Sequence, residues 1–219
     1  MGKPLIIALD GPAASGKGTL AMLIADAYDL AYLDTGSLYR GVAWLMLSAG
    51  EDPADEAAAE RTARTFSVDK LKNADIRTRE VGAAASVVAA QPGVRQALLE
   101  FQRNFANRPP GGARGAVLDG RDIGTVVCPE ATVKFFVVAS PLIRAHRRWL
   151  ELLPSKPALT EAEVLADLKE RDARDAARSD APMAMAPDAE LLDTTALTID
   201  AAFAAARRVI DGVLKRCEA

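Results

Sequence analysis

The sequence predicts a doubly wound α/β fold: a parallel sheet with helices on both faces. Three observations predict it. Short, continuous apolar runs recur at 5–9, 30–33, 116–118 and 133–138, without the alternation of a half-exposed strand. Stretches with helical periodicity separate them, bounded by capping or breaking residues. The length of 219 residues suits one large domain carrying an inserted subdomain.

Composition narrows the function classes. Half of the residues are apolar and 26% are charged, an ordinary balance for a soluble globular protein. A net charge of −3 argues against general affinity for nucleic acid. No apolar run reaches about 18 residues and no signal-peptide pattern follows Met1, so neither a membrane nor an export role is expected. Cys128 and Cys217 fit no metal spacing and are expected as free thiols in a reducing cytoplasm. His146 is the only histidine and is expected on a helix surface. Histidine-based metal sites and Ser-His-Asp catalysis therefore have little to work with.

The first strand, 5–9, leads into Gly11-Pro12-Ala13-Ala14-Ser15-Gly16-Lys17, which matches G-x-x-x-x-G-K. Glycines let the backbone curl so that successive N–H groups point at a polyphosphate. The helix beginning near Gly16 adds its positive end. Lys17 can reach the β- and γ-phosphates. Gly18 stands where the motif has Ser or Thr, so the hydroxyl that meets magnesium is assigned to Thr19. An ordinary strand–turn–helix is the structural alternative; a strand before, a helix after and a lysine in register disfavour it.

The helix over 16–28 should bury Leu20, Leu23, Ile24 and Ala27. A second strand at 30–33 ends in Asp34-Thr35-Gly36-Ser37, and a helix over 37–48 closes near Gly50. Asp52-Pro53 should cap and open the next helix. Residues 65–75 read as a short strand or loop. Helices are expected over 78–90 and 94–104, broken at Gln91-Pro92-Gly93. The Pro- and Gly-rich stretch 107–115 is a surface loop, with Arg114 solvated. Strands at 116–118 and 133–138 follow. Asp10, Asp34 and Asp119 each come just after a strand and so fall along one rim, where open parallel sheets gather ligands. A basic helix over 141–153 is broken by Pro154-Ser155-Lys156-Pro157. Thr160-Glu161-Ala162-Glu163 is a capping box, and its helix runs to about Arg178. After a loop at 179–187, residues 190–193 form an edge strand. Thr198 caps a closing helix that turns Phe203, Val209, Ile210 and Val213 inward. Trp44, Trp149 and the Phe135-Phe136 pair read as packing.

Four further patches carry chemistry: Asp34-Thr35-Gly36-Ser37-Leu38-Tyr39-Arg40, Ser86 through Arg95, Asp119-Gly120-Arg121-Asp122-Ile123-Gly124-Thr125-Val126-Val127, and Arg171 through Arg178. Residues 171, 174, 175 and 178 follow helical spacing and share one face. A solvated Arg/Asp surface is the bland alternative. Phosphoryl transfer needs such cations, because charge spreads over the equatorial oxygens and catalysis is positioning plus electrostatics. No nucleophilic side chain is required.

With the glycine loop, these patches resemble the bacterial cytidylate kinases over nearly the whole chain and in order. The G-K-G-T form resembles nucleoside monophosphate kinases more than GTPases, and no N-K-x-D stretch reads guanine. Adenylate kinases usually have D-G-[FY]-P-R where this chain has Asp119-Gly120-Arg121-Asp122. The resemblance implies a P-loop NTPase-like core at about 1–34, 96–143 and 172–219, a monophosphate-binding insert at 35–95 and a lid at 144–171. It implies transfer of the γ-phosphoryl of ATP, with Mg2+, to CMP or dCMP. The ATP site would be residues 11–19. Ser86, Arg95 and Asp122 would hold the cytosine edge. Arg40, Arg121 and Arg178 would clamp the acceptor phosphate with help from Arg95, and Arg171 and Asp175 would meet the ribose hydroxyls. Asp34 and Thr35 would also line the CMP site; Thr35 stands where the family often has Ser. Lys17, Arg121, Arg171 and Arg178 would be the catalytic cations. Arg144, Arg147 and Arg148 would sit in the lid. Asp119 would be a magnesium-associated carboxylate or would cap the next turn. A cytoplasmic monomer is expected, with ATP and CMP or dCMP as its partners. A kinase for UMP, AMP or shikimate, or a P-loop switch, is the alternative.

Overall fold

A computed structural model describes residues 4–67, 75–178 and 180–218, with main chain alone at 217 and 218. Most of the expected strand or loop at 65–75, residue 179 of the following loop, and the Cys217 thiol lie outside the described residues.

The described residues form β1 (Leu5–Asp10), α1 (Lys17–Tyr28), β2 (Ala31–Asp34), α2 (Thr35–Ser48), α3 (Glu56–Arg64), α4 (Arg79–Val88), α5 (Pro92–Asn107), β3 (Gly115–Gly120), β4 (Val133–Val138), α6 (Pro141–Leu152), α7 (Glu161–Ala176), β5 (Glu190–Asp193) and α8 (Ile199–Glu218). The chain divides into two compact units: Met1–Asp34 with Arg103–Arg144 and Met183–Ala219, and Thr35–Gln102 with Ala145–Pro182. Among the described residues no helix is long and apolar enough to cross a membrane.

The first unit holds the sheet, five parallel strands in the order β2-β3-β1-β4-β5. The chain steps to one side of β1 for β2 and β3 and to the other for β4 and β5. The carboxyl end of β1 is therefore the switch point at which such sheets bind ligands. Ile7, Leu9, Val117, Phe135 and Val137 bury one face of the sheet against Leu20 and Ile24 of α1 and Ala206 and Ile210 of α8. Each large side chain buried there contributes roughly 1.5–3 kcal/mol. Phe203, Val209 and Val213 pack on this core as expected, and Thr198 accepts from the Ala201 N–H at 3.2 Å.

Three expectations change in this unit. The buried stripe of α1 is Leu20, Ala21, Ile24, Ala25 and Tyr28; Leu23 is half-buried and Ala27 exposed. Alanines all round the helix leave its apolar side weakly marked. β3 extends to Gly115, where a Cβ would lie 2.0 Å from the Leu5 carbonyl oxygen. Arg114 is exposed but anchored: its Nε donates to the Tyr28 carbonyl at 2.9 Å, placing a cation on the last turn of α1.

The second unit is helical. α2 begins at Thr35 rather than at Ser37. α3 starts three residues later than expected: Asp55 caps it by accepting from the Ala58 N–H at 3.0 Å, while Asp52 closes a turn onto the Ala54 N–H. Both aspartates are competent caps; burial of Ala58, Ala59 and Ala63 selects the later one. Thr78 caps α4 through the Val81 N–H. Pro92 opens α5 instead of only breaking the helices, because a first-turn residue needs no N–H donor. The capping box at Thr160 and Glu163 forms as expected. α7 ends at Ala176, short of Arg178.

Candidate active site

In the first unit, β1 delivers the chain into a loop whose backbone is forced into shape. Gly11 has φ 141, and a Cβ there would lie 2.1 Å from the Val137 carbonyl oxygen. Ala14 (φ 59) and Gly16 (φ 88) adopt left-handed conformations, the kind that turn successive N–H groups to one side as an anion nest. Lys17 is buried, with Nζ 3.5 Å from the Pro12 carbonyl it donates to. The loop is braced from behind. Thr194 Oγ1 donates to the Ser15 carbonyl at 2.8 Å. Arg144, only 4% exposed, donates from Nη1 to the Ala13 carbonyl at 3.2 Å and from Nε to the Ala139 carbonyl at 3.1 Å. Arg144 thus belongs to the sheet-bearing unit, while Arg147 and Arg148 belong to the other.

The carboxylates follow the rim. Asp34 and Asp119 are register partners at the ends of β2 and β3. Tyr32 donates its hydroxyl to Asp119 Oδ2 at 3.2 Å. Burial pushes the Asp119 carboxyl up to about 6; the Lys17 charge pulls it down and the Asp34 charge raises it further. A Cβ at Gly18 would lie 3.1 Å from Asp119 Oδ2 and 3.6 Å from the Tyr32 hydroxyl. A Ser or Thr at that position would need the Asp119 carboxylate to shift by a few tenths of an ångström. Thr19 lies exposed on α1. Asp10 serves the loop after β3: it accepts from the Ile123 and Gly124 N–H groups, both at 2.7 Å. Burial raises it to about 6 despite those donors. Next to it, Arg121 is half-buried and donates to the Gly120 carbonyl at 3.0 Å. Asp122 is buried at the head of a π-helical turn, Ile123–Val127.

Among the described residues no three His, Cys, Asp or Glu side chains cluster to hold a metal unaided. A single buried carboxylate such as Asp119, beside Asp34 on the rim, could meet magnesium only as one ligand of an ion held largely by other groups.

In the second unit, Ser86 on α4 is 1% exposed and its hydroxyl bonds to no described protein group. Arg95 on α5 is 6% exposed. Its Nη1 donates to the Tyr39 hydroxyl and to the Ala89 carbonyl, both at 3.5 Å; its Cζ stands 6.0 Å above the Tyr39 ring, and its Nε lies 3.4 Å from Asp180 Oδ2. The C-terminal turn of α7 forms a second cluster. Asp175 is fully buried, accepts from Arg178 Nη2, and has Oδ2 3.9 Å from Arg171 Nε. Arg174, on the same expected face, pairs with Glu170 at 3.1 Å. Thr35 is buried at the start of α2; Arg40 on α2 and Arg147 on α6 are half-buried. Arg148 donates to the Arg77 carbonyl and pairs with Glu151.

Sequence reasoning missed the residues that hold these groups: Tyr32, Tyr39, Asp180, Thr194 and the anchoring role of Asp10. Tyr32 was findable, since strand alternation puts it on the same face as Asp34. Asp180 and Thr194 carry no local signal, because they pair with residues far away in sequence.

A family model described as cytidylate kinase matches residues 7–212. The cytidylate kinase of Paramagnetospirillum magneticum (strain AMB-1) is 57% identical over 205 residues, covering 94% of this chain and 97% of its own. That of Caulobacter sp. (strain K31) is 54% identical over 206 residues, 94% of each chain. The structure of an uncharacterized protein from Eubacterium ventriosum matches with a TM-score of 0.54 at 14% identity, covering 94% of this chain and 98% of that one; the likeness is one of fold.

Proposed function

Since the chain belongs to the cytidylate kinase family, we propose how its residues divide the phosphorylation of CMP and dCMP by ATP to CDP and dCDP. The loop 11–19 holds the ATP phosphates with its N–H groups, and Lys17 bridges toward the phosphoryl that moves. Asp119 would stand beside magnesium bound with ATP, and the ion would supply positive charge to the phosphates there. Thr19 is the loop's hydroxyl for this ion.

Ser86 and Arg95 face the acceptor groups of cytosine, and Asp122 accepts from its N4 amino group. Arg40, Arg121 and Arg178, assisted by Arg95, clamp the acceptor phosphate. Arg171 and Asp175 meet the ribose hydroxyls, and Asp34 and Thr35 complete the CMP set. Arg147 and Arg148 act from the proposed lid segment at 144–171, while Arg144 braces the loop. Lys17, Arg121, Arg171 and Arg178 stabilise the charge that develops during transfer.

The observation that carries the acceptor assignment is the buried Ser86 hydroxyl, which bonds to no protein group among the described residues. Such a group costs about 1–3 kcal/mol unless something bonds to it, and a nucleobase does. A coupled assay of ADP release tests the reading. Release should require CMP or dCMP. Dependence on UMP, AMP or shikimate instead would move the acceptor, and release without any acceptor would favour a switch. Lys17→Ala should cut turnover by roughly two to four orders, since losing a phosphate clamp removes about 3–5 kcal/mol of transition-state stabilisation. Near wild-type turnover would place the donor site elsewhere.

A further inference from the structure

Arg79 and Asp167 belong to no role assigned so far, yet they make a two-pronged ion pair within the helical unit. Nε to Oδ2 is 2.5 Å and Nη2 to Oδ1 is 2.8 Å. Arg79 is the first residue of α4, and Asp167 lies in the middle of α7. Helical spacing puts Arg79 on the same face of α4 as Gly82, Ala83 and Ser86 (i, i+3, i+4, i+7). Asp167 lies on the face of α7 that carries Arg171, one turn on, and Asp175, two turns on. The pair thus joins the helix that bears Ser86 to the helix that bears the ribose-side residues.

What lies next to the pair makes its geometry matter. A cavity of about 340 Å³ opens there, lined by Arg79, Gly82, Ala83, Val164, Leu168 and Arg171 among others. Side chains that interdigitate fully would fix the helix spacing by packing alone. Here the cavity interrupts that packing on one side, and the half-exposed Arg79–Asp167 fork, which is directional and bidentate, spans the interruption. Arg148 adds a second tie at the same end of α4 by donating to the Arg77 carbonyl at 3.0 Å.

We propose that the Arg79–Asp167 pair positions the acceptor-binding helices. It sets the separation of α4 from α7, and through it the affinity for a nucleoside monophosphate, without touching that ligand. This rests on the acceptor reading given above.

The test compares wild type with Arg79→Gln, Asp167→Asn, Arg79→Lys and the exchanged double variant R79D/D167R. CMP is titrated calorimetrically, and KM for CMP and for ATP, kcat and the urea midpoint are measured for each. Arg79→Gln and Asp167→Asn should each raise Kd and KM for CMP about five- to tenfold. KM for ATP and kcat should stay within about twofold of wild type by the same scale. Arg79→Lys keeps the charge but loses the fork, so its value should fall between. The exchanged pair should recover most of the lost CMP affinity. CMP affinity that does not move, KM values for ATP and CMP that rise together, or losses that track the urea midpoint across all variants would each overturn the positioning role. A wild-type protein that binds no CMP in the same titration would overturn the acceptor reading, and the positioning role with it.

Discussion

Asp10 and Asp119 end adjacent strands, and burial pushes each carboxyl up to about 6. For Asp10 the consequence for stability has a definite sign. Its native pKa lies above the unfolded value of 3.8, so between the two the native state binds more protons than the unfolded one. Stability then falls as pH rises through that window. A shift from 3.8 to about 6 corresponds to about 3 kcal/mol. Urea unfolding of wild type and Asp10→Asn at pH 4, 5, 6 and 7 should therefore give a stability difference that shifts against wild type as pH rises and levels off above about 6. A difference independent of pH would mean that Asp10 titrates normally. Asp122 tests specificity at the same scale. If it accepts from the cytosine N4 amino group, Asp122→Asn should lose roughly 2–3 kcal/mol in kcat/KM toward CMP and narrow the CMP-over-UMP ratio, since an amide can donate to the uracil carbonyl. A parallel loss on both substrates would leave Asp122 the role of orienting Arg121. These residue types were legible in the sequence because the motif spacing around Lys17 and Asp119–Asp122 is local. Tyr32, which bonds Asp119, and Asp180, which pairs with Arg95, were less so, because pairing depends on register and on chain reversal.

The elements themselves are decided by where a side chain would fit as much as by propensity. Gly11 and Gly50 both have positive φ, but only Gly11 faces backbone: a Cβ there would meet the Val137 carbonyl oxygen at 2.1 Å, whereas nothing lies within 4 Å at Gly50. Gly50→Ala should cost about 1–2 kcal/mol, the strain of a left-handed residue alone. Gly11→Ala should cost more than about 3 kcal/mol, because β1 and β4 would have to part. Urea midpoints for the two variants check this, and equal losses would mean that the loop yields without disturbing the sheet. The same logic explains which expected boundaries held. Thr160 and Thr198 cap where their sequences say they should, since each acts on N–H groups two or three residues away. Asp52 and Asp55 are equally good caps, and the choice fell to the helix whose alanines could be buried. The stripe of α1 was misjudged for a related reason: alanine is tolerated on either side, and the sheet chose the side.

At the scale of the whole molecule, the loop that would grip ATP lies in one compact unit, and Ser86, Arg95, Arg171 and Asp175 lie in the other. Ligands that bind the native state slow its local opening where they bind. Hydrogen exchange with a non-hydrolysable ATP analogue alone should protect residues 11–20. Exchange with CMP alone should protect α4 and α7. CMP protection restricted to residues 11–20 would count against the acceptor assignment.

The sequence by itself determined the parallel α/β class, the phosphate loop, the membership of its chemical patches in one kinase family and most helix starts. All of these rest on contacts or patterns that span a few residues. Only the tertiary structure decided that residues 145–182 join 35–102 in one compact unit, that Arg144 braces the loop from within the sheet-bearing unit, and that Gly18 lies close against the Tyr32–Asp119 pair. Each of those depends on groups many residues apart meeting through packing. A local pattern carries no record of such meetings, because their energy exists only once the chain has closed on itself.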